Sequence, residues 1–214
     1  MRRVVVVLAL LALALPVAAF ADDITLVNEA GTIAISNMLG TNGAGTIGSS
    51  VLSSKGSQLR QFNGISAPPG HSLGSVSFWT GVLTSGTVSG GGVFSGTGSY
   101  FSVTGAGMYG EPKGTIFTGS FVGPIDWTLI SQVGQKRTYT LSGDLSGEVY
   151  TGRMVSGTTT QTITILNGAQ LNAGVGHIAL GNTQLTVPEP GTLGLLGTGL
   201  VGIAGMFRRK LIGS

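Results

Sequence analysis

Apolar and polar residues alternate with a period of two through most of the chain between residues 22 and 187, and no long stretch shows the period of a helix. Short runs rich in β-branched and aromatic residues recur between Gly, Ser and Asn turns, which is the mark of strands. Residues 24–28 and 32–36 read as two strands with Glu29-Ala30-Gly31 as the turn of a first hairpin. Residues 38–50 read as a long loop, residues 51–62 as a short edge strand holding Lys55 and Arg60, and Ala67-Pro68-Pro69-Gly70 as a break. Further strands are expected over 75–83, 84–94, 99–104, 115–122, 125–131, 137–145, 147–152, 160–166, 177–180 and 184–187. About ten short strands with turns every 8–12 residues predict an all-β domain, a mostly antiparallel β-sandwich or open barrel. A solenoid is the alternative, prompted by runs such as Ser85-Gly86-Thr87-Val88-Ser89-Gly90, but no fixed period emerges.

The two ends break this pattern. Met1, Arg2 and Arg3 precede an apolar stretch over 4–19, and Ala19-Phe20-Ala21 has the small-x-small form of a cleavage site. Residues 1–21 therefore read as a secretory signal-peptide helix cut beside Ala19 and Ala21. At the other end, residues 192–207 are uncharged and mostly apolar, and Arg208, Arg209 and Lys210 follow. As a helix this stretch spans about 24 Å, somewhat short of a hydrocarbon core of roughly 30 Å. Flanking Leu211, Ile212 and snorkelling basic side chains make up the difference. The basic cluster orients such a transmembrane helix with its C-terminus in the cytoplasm. The expected organisation is a signal peptide (1–21), an extracellular all-β domain (22–187) and an anchor segment (188–214).

Between the domain and the apolar stretch stands Val187-Pro188-Glu189-Pro190-Gly191-Thr192. Two prolines bar a helix there and leave an extended peptide. This motif, the Gly/Leu-rich stretch and the Arg208–Lys210 cluster together resemble the PEP-CTERM sorting domain. The resemblance implies recognition by an exosortase-type membrane enzyme. Val187, Pro188, Glu189 and Pro190 would form the sorting motif, and Arg208, Arg209 and Lys210 the cytoplasmic stop signal. It further implies inner-membrane anchoring with the domain outside the cytoplasm, then display at the cell surface or in an extracellular matrix. Exopolysaccharide and biofilm are the setting it implies. The resemblance covers the tail and carries no fold or activity for the rest.

Charge supports this partition. The formal net charge is +3, yet five of the eleven basic residues lie in the two end segments. The middle holds six basic residues against seven acidic ones, about −1, so nucleic acid is not an expected partner. It also holds 31 of the 38 glycines. The chain has no cysteine, which removes disulfides, thiolate metal sites and cysteine nucleophiles.

Candidate chemistry in the middle is sparse. His71 and His177 are far apart in sequence and neither has a carboxylate close by, so no metal is expected. No Gly-x-Ser-x-Gly stands at a strand-to-helix junction. Asp126, Asp144 and Glu148 are the best carboxylates; Asp144 and Glu148 flank Gly147 in an expected turn, where they are either solvated turn residues or could approach each other as a glycosidase pair must. Trp79, Trp127, Tyr100, Tyr109, Tyr139 and Tyr150 are divided between core packing and a sugar-stacking platform. The sequence leads to an exported, non-enzymatic surface or matrix protein without cofactor, structural or associated with extracellular polysaccharide. A carbohydrate-binding module is the alternative, and a secreted hydrolase the third reading.

Overall fold

A computed structural model of the protein describes residues 23–37, 46–165 and 176–187. The expected signal-peptide helix and the expected transmembrane helix lie outside the described residues, as does most of the loop expected over 38–50. Twelve strands run through the described chain: β1 (Asp23–Glu29), β2 (Gly31–Asn37), β3 (Ser50–Phe62), β4 (Ile65–Ser66), β5 (Gly74–Trp79), β6 (Leu83–Thr87), β7 (Gly91–Ser95), β8 (Tyr100–Gly105), β9 (Gly114–Val133), β10 (Lys136–Val149), β11 (Met154–Ile165) and β12 (Gly176–Thr186). No described residue is helical.

The strands form one antiparallel sheet that closes on itself. Around the ring the order is β1, β3, β5, β8, β9, β10, β11, β12, and β12 pairs back to β1. Each of these strands therefore pairs with the next ring strand along the chain, the arrangement of an up-and-down barrel. Short β4 folds back on β3, and the β6–β7 hairpin hangs from the distal half of β9. The expectation of a sandwich or open barrel is corrected to a closed eight-stranded barrel, and the solenoid alternative falls with it. Alternation fixes which face of a strand is apolar and is silent on which strand it pairs with. Closure rests on the β1–β12 seam, whose partners are more than 150 residues apart.

Two local expectations change for one shared reason: a left-handed residue serves a bulge as well as a turn. Ala30 has φ 59°, but no hairpin forms. β1 and β2 run on in the same direction, each between β3 and β12, and the Ala30 N–H donates to the Ile178 carbonyl at 3.0 Å. Similarly, residues 115–122 and 125–131 are one strand, β9. Its pairing with β10 steps from Val122–Asp144 to Asp126–Ser142 around Gly123, whose φ is 77°. Pro124 is tolerated beside this bulge, where the ladder is already interrupted. β10 and β12 likewise continue through the breaks expected at Ser146 and at residues 181–183. Conversely, the strands expected over 75–83 and 84–94 divide differently, into β5 and the β6–β7 hairpin.

β3 is not a short edge strand. It has 13 residues and is walled by β1 and β2 on one side and β5 on the other. A break in register between Ser54 and Ser57 leaves Lys55 exposed, so its charge costs the interior nothing. The interior is a single cluster of buried apolar side chains running through all eight ring strands. An eight-stranded barrel has an interior just wide enough for side chains to fill.

Candidate functional site

The barrel interior has two chemically distinct parts. Under β5, β8 and β9, the rings of Phe78, Phe101, Phe117 and Phe121 pack together, with Phe78 and Phe101 stacked at 5.8 Å and Phe121 edge-on to both. Farther along β9 and β10, Trp127 and Tyr139 stack at 4.4 Å. Their polar tips hold the β6–β7 turn. Trp127 Nε1 donates to the Val88 carbonyl at 2.7 Å, and the Tyr139 hydroxyl to that of Ser89 at 2.8 Å.

Under β1, β3, β11 and β12 the apolar interior also holds a buried cluster of polar, uncharged side chains. Asn28, Gly181 and Gln161 are register partners in one row across β1, β12 and β11. Asn28 Nδ2 donates to Gln161 Oε1 at 2.9 Å and to Ser57 Oγ at 2.7 Å. Gln161 Nε2 donates to Asn28 Oδ1 at 3.3 Å and to Thr159 Oγ1 at 2.9 Å, and the Thr159 and Thr183 hydroxyls lie 2.8 Å apart. The two amides meet over Gly181, where a Cβ would stand 2.0 Å from Gln161 Oε1 and 2.3 Å from Asn28 Oδ1. Sequence reading missed this cluster. Its signal is that Asn28 occupies the inward position after Ile24 and Leu26, and Gln161 the one before Ile163 and Ile165. With no ionisable member, the cluster satisfies and orients itself and offers no proton donor or acceptor for general acid–base chemistry.

Asp144 and Glu148, the expected carboxylate pair, do not converge. Asp144 and Glu148 lie within β10 rather than about a turn, four residues apart on its outward side. That spacing is about 13 Å along a strand, beyond the roughly 5–10 Å of a glycosidase pair. Asp126 and Asp144 do line one outer groove of about 410 Å³, together with Ser142, Thr158 and Thr160. His71 follows the Pro68–Pro69 turn, edge-on to Tyr109 at 6.1 Å, whereas His177 is exposed on β12. Among the described residues no group of three or more His, Asp and Glu is placed to hold a metal ion. Gly70-His71-Ser72-Leu73-Gly74 has the spacing of a hydrolase nucleophile elbow, but it leads from a loop into β5 with Leu73 in the core, and no helix follows.

Two charged residues are absorbed by structure. Glu111, 4% exposed, receives the Met108 and Tyr109 N–H groups at 2.9 Å, one on each carboxylate oxygen. Burial pushes its carboxyl up, and backbone N–H donors from residues 107–109 and 111 outweigh that and hold it below the ordinary glutamate value. Arg60 pairs with Glu29 at 2.7 Å and also donates to the His71 carbonyl, tying β3 to the loop before β5.

The six aromatic candidates separate cleanly. Trp127 and Tyr139 belong to the core, and Tyr109 packs against it. Tyr150 is exposed near the β10–β11 turn. Trp79 and Tyr100 sit side by side outside the barrel as register partners of β5 and β8, with rings stacked at 4.4 Å.

Fold and sequence together define a closed all-β barrel followed directly by a tail that lies outside the described residues. That tail matches the PEP-CTERM protein-sorting motif over residues 186–210. The matched stretch contains Val187, Pro188, Glu189 and Pro190 as well as Arg208, Arg209 and Lys210. Of these only Val187 is a described residue, buried just past the end of β12. Ala19 and Ala21 also lie outside the described residues. Neither the comparison with curated proteins nor that with solved structures finds a match. The motif supports an exported protein sorted by exosortase.

Proposed function

We propose that this chain is a non-catalytic barrel module, delivered through the membrane by its N-terminal signal and sorted to the cell surface or extracellular matrix by an exosortase-type enzyme. The observation that carries the reading is the position of the sorting-motif match, which begins at residue 186, the last residue of β12. The barrel is thus complete where the sorting segment starts, as expected of cargo joined to its address. The membrane helix over 192–207 would hold the barrel outside the cytoplasm until Pro188, Glu189 and Pro190 are recognised.

The non-catalytic part rests on where the polar groups stand. The interior polar groups of the barrel are uncharged and bonded largely to one another, and Asp144 and Glu148, the pair with the sequence claim to a glycosidase role, stand about 13 Å apart along β10. Among roles without catalysis, contact with extracellular polysaccharide is favoured over a purely structural one by the Trp79–Tyr100 pair on the outer wall.

The sorting reading is tested by replacing Pro188 and Glu189 with Ala together in a host that has an exosortase. Processing and surface display should both be lost. Unchanged processing and display would reduce the tail to a plain anchor.

A further inference from the structure

The chain has two tryptophans, and the barrel uses them differently. Trp127 is 1% exposed and serves the core, whereas Trp79 is 44% exposed on the outer wall. An exposed indole is ordinarily mobile, but this one is fixed twice. Tyr100 stacks against it at an interplanar angle of 23°, and Nε1 donates to the Gly98 carbonyl at 3.1 Å. The turn that carries Gly98 is itself pinned, because the Thr97 N–H donates to Ser95 Oγ and Ser99 Oγ accepts the Phe121 N–H, both at 3.0 Å. A rigid ring loses little freedom when something binds to it.

Trp79 lines a groove of about 330 Å³ whose other walls include Ser36, Ser53, Thr80 and Thr97. On the far side of the Thr97–Gly98 turn lies a second groove of about 650 Å³, which shares those two residues and adds Ser95, Ser99 and Ser120. Among the described residues none that lines either groove is ionisable. The described surface therefore offers a fixed aromatic face, the hydroxyls of Ser36, Ser53, Thr97 and Ser120, and no charge, the Thr80 hydroxyl being buried and bonded to Leu52 and Gly81. A phosphate-bearing or uronic ligand would find no cation there. A pyranose fits: its C–H face covers an aromatic ring while its hydroxyls exchange hydrogen bonds with serine, threonine and backbone groups.

We propose that the paired grooves on either side of the Thr97–Gly98 turn bind a neutral polysaccharide chain, with one sugar ring stacked on Trp79. This rests on the reading that the barrel is displayed outside the cell, and it gives the polysaccharide contact a site and a charge class. Two grooves joined at one turn accommodate several consecutive sugars rather than a single one.

The test uses the full chain in a zwitterionic detergent, with laminarihexaose, cellohexaose, maltohexaose and mannohexaose as neutral probes and a galacturonate hexamer as the anionic one. At least one neutral hexaose should bind by calorimetry and shift the emission of Trp79 while leaving that of buried Trp127 unchanged. Trp79→Ala should weaken binding by about tenfold or more, with thermal unfolding and Trp127 emission unaltered. Because that variant also removes one ring of the Tyr100 stack, Ser53→Gln is the second: it retains both rings, crowds the groove from the position on β3 beside Trp79 and should likewise weaken binding. The proposal is overturned if no neutral hexaose binds, if Trp79→Ala and Ser53→Gln both bind as the parent does, or if the galacturonate hexamer binds better. A Trp79 emission that varies with protein concentration in the absence of sugar would assign the grooves to a second copy of the chain, and would overturn it equally. Any of these failures leaves the Pro188 and Glu189 processing test standing on its own.

Discussion

Asp23 and Thr186 are register partners at the seam of the barrel, so the first residue of β1 lies opposite the last residue of β12. The chain enters and leaves the ring at the same place.

The first prediction follows. A fragment spanning 22–187 should unfold in one cooperative thermal transition and elute as a compact particle. Removing residues 23–29 as well opens the seam and bares ladder edges on β12 and β3. Exposed edges of that kind pair between molecules, so size-exclusion chromatography should show aggregates. A monomeric, cooperative product without residues 23–29 would mean that the seam is dispensable.

The amide pair over Gly181 gives a second prediction. Asn28→Leu leaves Gln161 and Ser57 with lost partners in the interior, and should destabilise the barrel by about 1–3 kcal/mol in urea unfolding. Adding Gln161→Leu should cost less than the sum of the two single changes, since the second replacement removes a group already left unpaired. Gly181→Ala should be destabilising through contact with both amides, and Gln161→Ser should relieve it. Additive effects throughout would show that the two amides do not act as a unit.

Glu111 sets a pH dependence. Its folded-state pKa lies below the ordinary glutamate value, so the unfolded chain takes up its proton first as pH falls. The stabilisation is fully present above the unfolded value and is lost as pH drops toward the depressed folded one. Thermal melts of the parent should lose stability across that acid window. Glu111→Gln should be less stable at neutral pH and show a flatter acid limb. An acid limb of unchanged steepness would place the sensitivity elsewhere.

Much of the fold is legible in the sequence, and the remainder is illegible for identifiable reasons. Alternation places the strands and their inward faces, and the break at Ala67-Pro68-Pro69-Gly70 stands where two prolines put it. What a period of two does not carry is pairing. Glu29-Ala30-Gly31 has the residues of a turn, and only the Ala30 N–H bond to Ile178, far along the chain, makes it a bulge. β3 looks like an edge because Lys55 and Arg60 interrupt it, yet one is exposed at a bulge and the other is matched by Glu29. Among the aromatic candidates, residue type does not distinguish Trp79 from Trp127. The difference lies in strand phase and in neighbours that the bulge at Gly123 shifts by two positions. The tail is the opposite case: its motif is local in sequence and needs no fold to be read.

Because β12 supplies one side of the seam, the ring stays unfinished until the chain has emerged as far as Thr186. Every earlier strand waits with one edge of the sheet still open. The next residues to appear are those of the sorting motif. On a chain exported N-terminus first, the strand that closes the barrel and the motif that carries its address therefore emerge in immediate succession.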